Sequence, residues 1–160
     1  LLTGVKEIDP FMIPVPFPHE EDAREQSLAM RASAMDHLKH GGVIALFPSG
    51  VVATSETWWG PAVEGIWNPF TAKMVQRSGA TVVPIYFPGQ NSRAYQIANK
   101  LSATIRQGLL IHEVVHACHR AQKPVVGPPI DPEDVQSFQG GQREFVAWLR
   151  DKTLGLRETA

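Results

Sequence analysis

Apolar residues recur along this chain in two rhythms, a helical spacing of three to four and short unbroken runs. From about Asp22, Leu28, Met35 and Leu38 fall on one helical stripe, widened by Ala29, Met30, Ala32 and Ala34. Arg24, Glu25, Arg31 and Lys39 suit the opposite, wet face, and Gly41 stands at the usual closing position. The run Gly-Gly-Val-Ile-Ala-Leu-Phe-Pro-Ser-Gly at 41–50 then predicts a strand over Val43–Phe47, buried on both faces. A second apolar strand is expected at 81–86, inside Ala80–Gly89. Between the two lies a long connection, Val51 to Ile66, and connections of that length are more often functional than idle.

Asn68-Pro69 reads as an N-cap followed by the first helical residue, opening a helix that turns Phe70, Met74 and Val75 inward and stops at Gly79. Ser92 is placed to cap another helix. Its period runs on through Ile105, Leu109, Val115 and Cys118, with a break near Ser102 or Gly108. Lys123 to Ile130 predicts a short strand ended by Pro128-Pro129. An acidic turn from Asp131-Pro132 follows, then Gly140-Gly141 and a last amphipathic helix with Phe145, Trp148 and Leu149 inward. Leu1 to Pro18 carries four prolines and permits at most a short or edge strand. Helices alternating with strands define the α/β class, and the length fits one domain, 1–160.

Composition narrows the function classes. Hydrophobic residues make up 43% and charged ones 19%, the mark of a folded rather than a disordered chain. A formal net charge of −1 supplies no basic footprint, which argues against nucleic acid as a partner. The single cysteine, Cys118, forms no internal disulfide, so a reducing compartment is the simpler expectation. No apolar run approaches the roughly 20 residues that span a bilayer. The chain starts at Leu1 rather than methionine and is expected to be processed or a fragment.

His112-Glu113-Val114-Val115-His116 matches the H-E-x-x-H pattern of zinc proteases, in which two histidines one turn apart bind the metal and the glutamate is general base. Catalytic zinc needs a third protein ligand. Gln122 stands where an extended motif wants histidine, and Glu133 and Glu144 are distant. A partly exposed helix face is the simpler reading. Gly50 to Ser55 lacks the glycine spacing and lysine of a phosphate-binding P-loop, and Ser49 lacks a nucleophile elbow. Trp58 and Trp59 suit a substrate wall, a lipid interface or a roof over the core.

Phe47-Pro48-Ser49-Gly50 and Val82-Val83-Pro84-Ile85, in this order and spacing, resemble two blocks of the glycerol-phosphate and lysophospholipid acyltransferase superfamily, the PlsC type. The first is similar to its Phe-Pro-Glu-Gly block with serine for glutamate, the second to its Val-Pro-(Val/Ile) block. Trp67-Asn68-Pro69, Gln90-Asn91-Ser92, Leu109-Leu110, His112-Glu113 and Val125-Val126-Gly127 resemble the hemolysin-like or ornithine-lipid acyltransferase branch. The likeness runs from about Ile8 to Ile130. It implies an α/β fold with a central, mainly parallel or mixed sheet flanked by helices, here the C-terminal portion of the domain. The family's catalytic H-x-x-x-x-D is absent: the fifth residues after the six histidines are Arg24, Gly42, Ala45, Ala117, Ala121 and Pro124. The early block that usually carries arginine reads Ile13-Pro-Val-Pro-Phe17, and Trp67-Asn68 replaces the lysines that often precede the helix.

The resemblance implies transfer of a fatty acyl group from a coenzyme A or acyl carrier protein thioester to a lysolipid hydroxyl. No cofactor is implied beyond that co-substrate. Phe47, Pro48, Ser49, Gly50, Trp67, Asn68 and Asn91 would shape the acceptor site, with the catalytic His/Asp pair upstream. The implied location is cytoplasmic, peripheral at the inner face of the membrane, with self-association through uncovered apolar surface. Neutral residues where the family has cations point to an amino-acid or zwitterionic head group, a lyso-ornithine lipid above lysophosphatidate. A zinc hydrolase using His112, Glu113 and His116, or a non-catalytic lipid-binding module, are the rival expectations.

Overall fold

Phe145, on the last long helix, is fully buried, and the residues around it build the main core. The computed structural model of the chain describes residues 6–7, 9–15 and 22–159. Ile8, the block at 16–17, Pro18 and His19 lie outside the described residues. Two compact units divide the chain, Leu1–Leu46 and Phe47–Ala160.

In the first unit a 3-10 turn spans Asp9–Phe11 and α1 spans Ala23–Lys39. The expected stripe is partly right. Ala34 is buried and Met30, Met35 and Leu38 half-buried, but Leu28 is 59% exposed. The His40 amide still bonds the Asp36 carbonyl at 3.1 Å, and Gly41 follows at φ 80.

The strand expected at Val43–Phe47 does not form. Extended backbone becomes a strand only through a partner's hydrogen bonds, and none of the described residues pairs with this run. Most of its apolar side chains are turned to solvent, with Val43 88% and Phe47 76% exposed, and only Ile44 is half-buried.

The second unit carries the remaining elements. These are β1 (Thr54–Ser55), β2 (Ala62–Val63), α2 (Phe70–Ser78), β3 (Ile85–Tyr86) and α3 (Arg93–Leu101), followed by α4 (Ala103–Cys118), β4 (Val125–Val126), α5 (Pro132–Ser137) and α6 (Gln142–Gly155). A 3-10 turn at Leu156–Thr159 follows α6. Where one central sheet was expected, the described residues form two antiparallel two-stranded ladders, β1 with β2 and β3 with β4. A single bridge, Val82 to Ile130, extends the second. Prolines interrupt the β3–β4 ladder: Pro84, Pro88, Pro124, Pro128 and Pro129 lack the amide a ladder needs, so pairing is confined to two residues on each strand and the separate Val82–Ile130 bridge. The long connection at 51–66 is itself a hairpin built on β1 and β2.

The core joins Phe145, Val146 and Leu149 of α6 to Ala72 and Val75 of α2, Ile130, and Val135 of α5. Phe138 meets Phe145 edge-on, centroids 5.2 Å apart, and Trp148 leans on both rings. The Glu144 carboxylate accepts from the Gly141 amide at 2.7 Å and caps the start of α6. Ser102 ends α3 and caps α4, which places the expected break there and leaves Gly108 inside the helix.

Candidate functional site

The Phe47–Gly50 turn closes on a hydrogen bond from the Gly50 amide to the Phe47 carbonyl at 3.0 Å, with Gly50 at φ 64. Its Pro48 carbonyl accepts from the Asn68 amide at 2.9 Å, which joins the two blocks singled out in the sequence. Asn68 in turn caps α2: its Oδ1 accepts from Phe70 N–H and its carbonyl from Thr71 N–H, both at 2.9 Å. Ser49 Oγ donates to the Val51 carbonyl at 3.1 Å.

Gly65 packs closely at this junction: a Cβ there would stand 2.9 Å from Val51 Cγ2 and 3.4 Å from Ser49 Cβ, so a side chain would oblige Val51 to shift. The Arg150 guanidinium holds the same backbone from α6, donating to the Gly65 carbonyl at 3.2 Å and the Glu64 carbonyl at 2.7 Å. Trp67 packs on the core and donates from Nε1 to Glu64 Oε1 at 3.2 Å.

A cleft of about 510 Å³ opens beside Trp67. Its charged lining is mixed, with Arg143 and Arg150 facing Glu56, Glu64 and Asp151. Arg150 is committed to backbone carbonyls and lies 3.8 Å from Asp151, whereas Arg143 makes no ion pair among the described residues. The sequence reading missed both arginines, having followed only the inward residues of α6. The signal was there: Arg143, Ala147 and Arg150 sit at i, i+4 and i+7, one face of a helix.

Phe47 and Asn68 are exposed, and Pro48, Ser49 and Trp67 half-buried. Asn91 makes no hydrogen bond to Ser49 or Asn68 among the described residues. Its neighbour Gln90 instead accepts from the Ala62 amide at 2.8 Å. Lys73 is exposed on α2, and Arg93 donates to the Gly60 carbonyl at 2.5 Å. Trp58 and Trp59, 51% and 76% exposed, do not roof the core.

The H-E-x-x-H residues lie on α4 and are used differently from a zinc site. Both oxygens of Glu113 accept from Ser92, one from its amide at 2.9 Å and the other from its hydroxyl. Burial pushes the Glu113 carboxyl up; the two Ser92 bonds, with positive charge on His112 and His116, outweigh it and hold the group below the usual carboxylate range. His112 and His116 are exposed, rings stacked at 6.1 Å and 14°. No group of three or more His, Cys, Asp or Glu side chains among the described residues is arranged to hold a metal.

No protein-family profile, curated protein or solved structure matches the chain. Among the described residues no helix is long and apolar enough to cross a membrane.

Proposed function

We propose that the chain forms the acceptor-binding part of an acyltransferase that moves a fatty acyl group from a coenzyme A or acyl carrier protein thioester to a lysolipid hydroxyl. The observation that supports it is the Pro48–Asn68 hydrogen bond, which ties the Phe47–Gly50 block to the residue after Trp67, and Trp67 lines the cleft. In this reading Trp67 is a flat wall for the acceptor and Asn68 a neutral polar group at its side. Arg143 meets a head-group carboxylate, and Glu56, Glu64 or Asp151 meets its ammonium. Two cations among three carboxylates suit a zwitterion better than a phosphate monoester, whose double charge the carboxylates would repel. The best single acceptor is a lyso-ornithine lipid. The protein would work in the cytoplasm, at the inner face of the membrane, and its uncovered apolar surface favours self-association.

No histidine here is followed at the fifth position by aspartate, so the base that activates the hydroxyl comes from elsewhere. The same observation favours a second reading, a lipid-binding module without catalysis. An acyl-transfer assay on the intact gene product, with lyso-ornithine lipid and lysophosphatidate in competition, separates the readings. Transfer to the zwitterion is expected. A tenfold preference for lysophosphatidate would overturn the head-group assignment, and no transfer with any thioester would leave the module.

A further inference from the structure

Trp148 and Lys152 lie one turn apart on α6, on the other side of the helix from Arg143 and Arg150. They border a second cleft, of about 640 Å³, within the size range of small-ligand sites, about 300–1,000 Å³. Pro84, Pro128, Pro129, Phe138, Trp148 and Leu156 make its apolar walls. Proline has no amide hydrogen, so three of these six residues offer a ligand no backbone donor. Such a surface suits hydrocarbon.

The polar groups gather as Lys152, Asp134 and Ser137. The Ser137 hydroxyl is already used, donating to the Asp134 carbonyl at 3.0 Å. Lys152 is not: its Nζ stands 5.7 Å above the Trp148 ring and makes no ion pair among the described residues. The ring holds the ammonium beside the apolar wall without neutralising it.

We propose that this cleft binds a single-chain anionic amphiphile, its hydrocarbon on the proline and aromatic walls and its carboxylate or phosphate at Lys152. Asp134, on the same lining, works against an anion and weakens its attraction to Lys152. The cleft acts by binding alone, so it stands or falls apart from the transfer reaction proposed above.

Calorimetric titration of the chain tests it, with dodecanoate, lauroyl lysophosphatidate and dodecyl maltoside, each below its micelle concentration. At least one anion is expected to bind one to one, fivefold or more tighter than the neutral maltoside. Whichever anion is tighter identifies the source as a free fatty carboxylate or a lysolipid. Lys152→Glu should abolish that preference, Asp134→Asn should increase it, and Ser137→Trp, which fills the cleft, should abolish binding. Equal affinity for all three ligands, no binding at all, or a preference that survives Lys152→Glu would overturn the proposal. The three-ligand comparison on the unaltered chain decides even where a variant fails to fold.

Discussion

Ser92 gives both of its donors to one carboxylate: its amide and its hydroxyl bond the two oxygens of Glu113. The same hydroxyl accepts from the Tyr95 amide at 3.2 Å, so the cap of α3 and its tie to α4 are a single side chain. Replacing Glu113 by alanine should cost about 1–2 kcal/mol, the loss of charge-assisted bonds at a partly wet site. Because the folded carboxyl is held below its usual range, its contribution is present above about pH 4.3 and is lost as pH falls through the folded value. Urea melts across acidic pH should show this limb in the native chain and a shallower one in Glu113→Gln. An identical acid limb would mean that Glu113 is not the group responsible.

Phe145 has no exposed surface and is wedged against Phe138 and Trp148. Phe145→Ala should destabilise by about 3–5 kcal/mol, as a large buried ring leaves a cavity that its neighbours fill poorly. Chemical denaturation monitored by Trp fluorescence reads this directly.

Gly79 closes α2 at φ 65, and a Cβ there would touch nothing within 4 Å. Gly79→Ala therefore isolates the backbone cost of the left-handed conformation, about 1–2 kcal/mol, and Gly79→Asn should cost less. A neutral alanine variant would show that the helix ends in some other way.

Arg150 fastens the backbone of residues 64 and 65 to α6. Arg150→Met keeps the stem and removes the donors, leaving two carbonyls short of a partner. It should lower stability by about 1–2 kcal/mol and loosen Trp67. A red-shifted emission maximum that is missing in the Trp67→Phe background would locate the change. Unaltered emission would say that the loop holds itself.

Zinc is expected to bind substoichiometrically. His112 and His116 supply half of a tetrahedral shell, and Ser92 occupies the carboxylate between them. Elemental analysis after dialysis, with melting curves before and after chelation, checks this. One tightly held zinc per chain would restore the hydrolase reading.

The helices were legible in the sequence because their signals are local. Asn68, Ser92 and Gly79 act within one turn of where they stand, so spacing and cap chemistry place α2 and the start of α3 closely, whereas the break before α4 was left between Ser102 and Gly108. The ladders were not, since pairing depends on a partner far along the chain. Val43–Phe47 has the pattern of a buried strand and finds no partner among the described residues, while residues 51–66, with weaker apolar pattern, fold back on themselves. The cleft was barely legible: of the residues singled out for the acceptor, Trp67 alone lines it. Arg143 and Arg150 reach it only because α6 packs on α2, a tertiary fact.

Ser102 is the whole connection between α3 and α4, C-cap of one and N-cap of the next. That corner fixes rotational phase as well as direction. A helix turns about 100° per residue, so one residue added after Ser102 would roll α4 by more than a quarter turn. Glu113 would swing off Ser92, and the apolar flank carrying Ile111, Val114 and Val115, now more than half exposed, would be re-aimed with it. Length at this corner is therefore a coding constraint in its own right: substitutions on α4 are graded in effect, whereas an insertion or deletion at 102 rewrites which side of the helix meets the protein.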